Sequence, residues 1–223
     1  GYHRKTQEVC NKYNVLYVSD EVVTGFGRLG HMFASKDEFD LQPDIITCAK
    51  GLTSGYLPLS ATILSDDIYD VISIPQAKGA LFTHGFTYSG HPVCCAAGLK
   101  NIEIIERENL CEHVNDVGDY FERQLKTLED LDIVGEVRGR KFMMCIENVA
   151  DKQTKELLHE DAEVGTRIAN HCQDRGLIVR PLAHMNVLSP PLVMTRKEVD
   201  KMVNILRESI IETISDLSND GYL

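Results

Sequence analysis

Val15-Leu16-Tyr17-Val18-Ser19-Asp20-Glu21 and Pro43-Asp44-Ile45-Ile46-Thr47-Cys48-Ala49-Lys50-Gly51 decide the fold of this chain. Each contains a short apolar run rich in Val, Ile and Tyr, the pattern of a buried strand in a parallel sheet. The first run ends on an acid, Asp20, and the second on Lys50. In open α/β sheets the ligand crevice lies beyond the carboxyl ends of the strands. The two residues are therefore expected at one crevice.

Taken alone, Asp20 reads as well as a helix cap or salt-bridge partner, and Lys50 as a solvated lysine. The pair is more informative. A lysine between Ala49 and Gly51, directly behind a buried strand, has little room to be a routine surface charge. An acid and a lysine at neighbouring strand ends suit pyridoxal phosphate: the lysine forms a Schiff base, and the acid partners the pyridinium nitrogen.

Working outward, residues 1–13 carry Tyr2, Val9, Cys10 and Tyr13 at roughly helical spacing. The chain opens at Gly1, inside that helix and without an initiator methionine, and so reads as the later part of a longer polypeptide. A glycine-rich turn follows the first strand at Gly25, Gly27 and Gly30. Pro58 to Leu64 reads as a further strand, and Asp66 or Asp67 caps a short helix before Pro75. Residues 76–90 read as a long loop, a common place for function. A helix opens at Pro92 and runs to about Glu108, with Ala96, Leu99, Ile102 and Ile105 on its apolar face.

From about Leu110 the pattern changes to an α+β succession. An amphipathic helix ends near Leu128, and strands follow near 133–138 and 142–147. A helix over 160–175 stops at Gly176, and strands follow near 177–180 and 186–188. The last helix opens at Thr195, with Glu198 three residues on as in a capping box. The expected division is 1–110, the later part of a large domain with a mostly parallel sheet, and 111–223, a small domain.

The gross numbers exclude more than they assign. The 223 residues are 43% hydrophobic and 26% charged, ordinary for a globular protein, and the net charge of -11 argues against nucleic acid as a partner. No apolar run is long enough to span a bilayer. Seven scattered cysteines without a C-x-x-C pair, and no signal peptide before the first strand, lead to the expectation of a reducing, cytoplasmic compartment. Adjacent Cys94 and Cys95 read as helix packing.

Gly25-Phe26-Gly27-Arg28-Leu29-Gly30 fits the dinucleotide fingerprint G-x-G-x-x-G, and Asp44 lies about 20 residues on. That fingerprint needs a strand running into the first glycine and a helix opening behind it. Here Asp20-Glu21 intervenes, and His31-Met32-Phe33-Ala34-Ser35-Lys36 opens a helix poorly, so a turn needing positive φ is the better reading. His159-Glu160-Asp161-Ala162-Glu163 lacks the second histidine of a zinc helix, and no metal site is expected. His3 and His113 read as surface residues.

Several segments resemble the class III pyridoxal-phosphate aminotransferases, in particular the omega-amino acid or amine:pyruvate group. They are Ser19-Asp20-Glu21-Val22-Val23-Thr24-Gly25-Phe26-Gly27-Arg28, Pro43-Asp44, Ala49-Lys50-Gly51-Leu52-Thr53-Ser54, Gly85-Phe86-Thr87-Tyr88-Ser89-Gly90-His91-Pro92, Gly176-Leu177-Ile178-Val179-Arg180-Pro181 and Ser189-Pro190-Pro191-Leu192. The match runs through nearly the whole chain in order, but corresponds to about the second half of a typical member. The resemblance implies an α/β fold of PLP fold type I and the transfer of an amino group to pyruvate or a similar oxo acid.

It also implies roles. Lys50 would hold the cofactor as a Schiff base and then move a proton, and Asp20 would keep the pyridine nitrogen protonated. Val22 would pack on the ring. Thr87, with the Phe86 backbone, would bind the phosphate of a neighbouring subunit, which implies a homodimer or larger with a shared site. Arg180 would pair with a substrate carboxylate. The family's glycine-serine phosphate loop and ring-stacking aromatic are absent from these residues, so the first half of the site is expected from another chain or from a longer protein. Decarboxylation, intramolecular amino transfer or elimination on the same lysine, and a non-catalytic interaction module, remain alternatives.

Overall fold

A computed structural model describes residues 1–73 and 85–223. They form two compact units, Gly1–Glu112 and His113–Leu223.

In the first unit, helix α1 (Tyr2–Lys12) leads to strand β1 (Val18–Asp20), and a short helix α2 (Ala34–Asp37) precedes β2 (Ile45–Cys48). Strand β3 (Ala61–Leu64), helix α3 (Asp66–Ser73) and helix α4 (Pro92–Arg107) follow. The sheet order is β1-β2-β3. β1 and β2 are parallel, with Val18 opposite Ile45 and Asp20 opposite Thr47. β3 is antiparallel to β2, with Cys48 opposite Ala61.

β1 is shorter than expected and is not buried: Val18 is 53% exposed and Leu16 58%. A parallel strand is buried when neighbours and helices cover it, and β1 is an edge of the described sheet. The core of this unit gathers instead behind the sheet's crevice, around Phe26, Leu29, Ala34, Leu41, Cys48 and Leu52. The rings of Phe26 and Phe33 meet edge to face at 5.4 Å. Most of the expected loop over 76–90 lies outside the described residues. Its last part, from Gly85, is a turn running into α4 at Pro92.

α4 buries only part of the face its apolar spacing suggests: Ile105 is buried and Ile102 half-buried, as expected, but Ala96 and Leu99 are exposed. Leu99 is 70% exposed, while Gly98 and Ile105 are buried. A Cβ at Gly98 would come within 2.8 Å of Leu59 Cδ2, so the bare helix backbone at Gly98 is what accepts Leu59.

In the second unit, α5 (which runs over Leu110–Lys126) precedes strands β4 (Val134–Arg140) and β5 (Met143–Asn148). Helix α6 (Val164–Asp174), strands β6 (Arg180–Leu182) and β7 (Met185–Leu188), and helix α7 (Arg196–Asn219) complete it. The antiparallel sheet has the order β4-β5-β7-β6. Alternation along β5 buries Met144, Ile146 and Asn148. Met144 and Ile146 join Phe121, Leu125, Ile168, Leu206 and Ile210 in one core.

α6 starts later than expected because Glu163, at φ +45, separates it from a 3-10 turn over Glu160–Ala162. The strand expected at 177–180 begins only at Arg180, after the left-handed Gly176. α7 opens as expected: the Thr195 hydroxyl accepts from the Glu198 backbone, and the Glu198 carboxylate accepts from the Thr195 N–H at 2.8 Å. His113 is half-buried, not a free surface residue, with Nε2 2.9 Å from the Met194 carbonyl. No helix among the described residues is long and apolar enough to cross a membrane.

Candidate functional site

The parallel register sets the site. Asp20 closes β1 opposite Thr47, and Glu21 N–H donates to the Thr47 carbonyl at 2.8 Å. Lys50 lies two residues past the end of β2, so both residues leave the sheet at its carboxyl edge, where such sheets bind ligands. Asp44 marks the opposite end. Its carboxylate accepts from the Tyr17 N–H at 2.7 Å, which ties down the start of β1 and leaves it no ribose-binding role.

Two loops then pack on each other behind the strand ends. After Asp20 the chain forms a tight reversal: Phe26 N–H donates to the Met32 carbonyl at 2.7 Å, and Gly27 N–H to the His31 carbonyl at 3.0 Å. Phe26, Gly27 and Gly30 all have positive φ, which is why glycines recur here. Glu21 to Phe33 separate β1 from the four-residue helix α2, so the strand does not run into the first glycine and no long helix opens behind Gly30; the segment is a turn and not a dinucleotide fingerprint. After Lys50, itself at φ +42, a 3-10 turn runs to Thr53. A Cβ added at Gly51 would lie 3.1 Å from Phe26 Cβ and 3.2 Å from the Gly25 carbonyl oxygen. Gly51 thus lets the lysine turn seat directly on the acid's loop.

Asn101, on α4, holds the lysine turn from the other side. Its Nδ2 donates to the Gly51 carbonyl at 2.8 Å and to the Leu52 carbonyl at 3.2 Å. Sequence reasoning missed this residue. It also missed Glu21, which is 2% exposed. The Glu21 carboxylate accepts from the Thr24 hydroxyl, the Ser35 N–H and the Ser35 hydroxyl, at 2.5, 2.6 and 2.5 Å. A polar residue flanked by apolar helix positions, and an acid next to another acid, were the available signals.

Asp20 itself is exposed, and one carboxylate oxygen accepts from the Val22 N–H at 3.0 Å. The other has no partner among the described residues. Lys50 is exposed, contrary to the crowding its sequence neighbours suggest, because the packed surface is that of Gly51 and not of the lysine side chain. Lys50 lines a cleft of about 1370 Å³ with Thr53, Leu57, Ser60, Phe86 and His91. Asp20 and Val22 are not among the residues lining it.

Thr87 sits in the turn between Phe86 and Tyr88. The Phe86 N–H donates to Ser89 Oγ at 3.1 Å and is spent within that turn. The Thr87 N–H and hydroxyl have no partner among the described residues. Arg180 belongs to the second unit, where it opens β6 opposite Val187 and is exposed. It forms no ion pair within that unit. No metal-binding cluster occurs among the described residues.

The family model for class-III aminotransferases matches residues 1–210. The chain belongs to the class-III aminotransferase family. An uncharacterized aminotransferase, y4uB, of Sinorhizobium fredii is 43% identical over 99% of this chain and 48% of its own length. The mitochondrial gamma aminobutyrate transaminase 1 of Solanum lycopersicum is 39% identical over 95% of this chain and 41% of its own. An amine transaminase from an uncultivated Pseudomonas species, solved with pyridoxal phosphate bound, superposes with a TM-score of 0.91 at 40% identity. That match covers 95% of this chain and 48% of the other. The chain thus spans about half the length of the relatives it matches, and its fold is the later part of the PLP fold-type I aminotransferase fold.

Class-III aminotransferases use pyridoxal phosphate, and the donor set here fits part of that cofactor. Lys50 offers a primary amine on an open cleft. Asp20 offers a carboxylate with a spare oxygen. Thr87 offers an N–H and a hydroxyl on a turn, groups suited to a phosphate.

Proposed function

We propose that this chain supplies Lys50 and Asp20 to the active site of a pyridoxal-phosphate aminotransferase. The reaction moves an amino group from an omega-amino acid or an amine to pyruvate or a similar oxo acid. The observation that carries this reading is the parallel β1–β2 register, which brings Asp20 and Lys50 to one edge of the sheet. The printed activities of the relatives, a gamma aminobutyrate transaminase and an amine transaminase, support the choice of donor.

Bound pyridoxal phosphate supplies an aldehyde that captures amines and a ring that accepts the electrons released at the substrate carbon. Lys50 would hold the cofactor through its amine and would carry a proton to and from the substrate carbon. Asp20 would stabilise the protonated ring nitrogen by accepting its charge-assisted hydrogen bond at the spare oxygen. Val22 packs on the ring. Thr87 would bind phosphate across an interface between two copies through its N–H and hydroxyl, and the Phe86 backbone would join it only by giving up its bond to Ser89 Oγ, so the working form is at least a dimer. Arg180 orients a substrate carboxylate with its two-pronged guanidinium. Residues outside this chain complete the pocket. The seven free cysteines support a reducing, cytoplasmic location.

Borohydride reduction followed by intact and peptide mass spectrometry tests the assignment. The expected result is one cofactor-sized increase on Lys50, absent in Lys50→Ala together with nearly all turnover. An adduct on another lysine, or full activity in Lys50→Ala, refutes it. Release of carbon dioxide without keto-acid-dependent transfer would instead place the protein among the other class III chemistries. The exposure of Tyr2, Val9, Tyr13, Leu16 and Val18 favours one further reading, in which the chain alone is a non-catalytic module until another polypeptide covers this face. In that case the purified chain stays colourless with pyridoxal phosphate.

A further inference from the structure

Glu21 is among the most completely buried large side chains of the chain, yet nothing in the proposed chemistry uses it. Burying a carboxylate is costly unless its oxygens are satisfied, and here they are. Thr24 Oγ1 donates to one oxygen at 2.5 Å. The Ser35 N–H and hydroxyl both donate to the other, at 2.6 and 2.5 Å. Ser35 Oγ also lies 2.7 Å from Ser19 Oγ. A hydroxyl has one proton to give. Ser35 gives its proton to Glu21, so Ser19 must be the donor to Ser35. The result is a directed chain from Ser19 through Ser35 to Glu21, with Thr24 entering from the far side.

The placement of this chain matters more than its existence. Ser19 and Glu21 flank Asp20 directly, and Thr24 lies in the loop that follows. The residue before Asp20, the residue after it and the start of its loop are all anchored to one buried carboxylate. The Val22 N–H then takes one Asp20 oxygen at 3.0 Å, leaving the other directed by a backbone that cannot swing.

We propose that Glu21 and Ser35 are positioning residues for Asp20: their buried hydrogen-bond chain fixes the end of β1 so that the free Asp20 oxygen is held ready for the cofactor's ring nitrogen. This rests on the reading of Asp20 given above. It predicts that disturbing the chain weakens the grip on the ring nitrogen without touching any group that contacts the cofactor.

The test compares Asp20→Asn, Glu21→Gln, Ser35→Ala and Ser19→Ala in the protein loaded with pyridoxal phosphate labelled at the ring nitrogen. The readouts are the nitrogen NMR shift, which reports ring protonation, the cofactor Kd and the melting temperature. Asp20→Asn should move the nitrogen shift toward the unprotonated ring. Ser35→Ala and Glu21→Gln should move it the same way by a smaller amount and raise Kd about fivefold, the equivalent of losing one hydrogen bond of ~1 kcal/mol. Ser19→Ala, which removes only the outermost donor, should show the smallest shift and keeps the test alive if Glu21→Gln fails to fold.

If Asp20→Asn shifts the nitrogen signal but Ser35→Ala and Ser19→Ala match the wild type, the positioning role is overturned and the Asp20 assignment stands. A lowered melting temperature with unchanged nitrogen shift and Kd likewise makes the chain merely structural. If Asp20→Asn itself changes nothing, the Asp20 assignment falls and the positioning role with it.

Discussion

Replacing Asn101 should loosen the turn that presents Lys50, although Asn101 lies fifty residues away in sequence. The carboxamide donates both its protons, to the Gly51 carbonyl at 2.8 Å and the Leu52 carbonyl at 3.2 Å. Each bond contributes about 0.5–1.5 kcal/mol net. Asn101→Ala forfeits both, offset by about 0.5 kcal/mol of better helix propensity in α4. The expected loss is about 0.5–2.5 kcal/mol in the unfolding free energy of the first unit. Asn101→Asp is the sharper variant. An ionised carboxylate has no proton to give, so it would face two carbonyl oxygens and cost at least ~1 kcal/mol beyond alanine. Urea unfolding gives the ranking, and the yield of borohydride-fixed cofactor on Lys50 should fall in the same order. If Asn101→Asp proves as stable as Asn101→Ala, the carbonyls are not held as the geometry requires and the reasoning fails.

In the second unit, Phe121 is fully buried and meets Phe142 edge to face at 5.9 Å; Phe121→Ala should cost about 3–5 kcal/mol, and a midpoint shift worth less than about 1 kcal/mol in urea would contradict the packing. The same unit should lose stability in acid. The Arg138 guanidinium holds the Glu147 carboxyl below its usual range, and the Lys141 ammonium does the same to Asp119. As pH falls, the unfolded chain takes up these protons first, so the stabilisation is complete above the ordinary carboxylate range near pH ~4 and is lost on titrating below it. Thermal melts from neutral to acid pH should show this fall, flattened in Arg138→Met; an unchanged slope in that variant counts against the assignment.

Much of the candidate site was legible because its signals are written locally. Asp20 and Lys50 each end an apolar run, and a strand's end is visible in the residues that stop it. Gly25, Gly27 and Gly30 announced a turn, of which Gly27 and Gly30 do take positive φ. Thr195 and Glu198 announced their helix start, since a capping box spans only one turn. The burial of β1 was misjudged for the opposite reason: a run of Val, Leu and Tyr says that a strand wants cover, not that cover is present among these residues. Part of the inward face of α4 was misread, with Leu99 exposed and Gly98 buried, because hydrophobic periodicity gives a glycine no weight.

By itself, then, the sequence determined roughly where the strands, turns and most helices lie, and which side chains are candidates for a lysine-linked cofactor site. These follow from backbone preferences and hydrophobic spacing, which act over a few residues. Only the tertiary structure decided that Gly51 seats on Phe26, that Asn101 reaches the lysine turn, and that Glu21 is buried under Ser35 and Thr24. Those depend on which distant groups meet, and a hydrogen bond or a close approach exists only once the chain has brought both partners within a few ångströms.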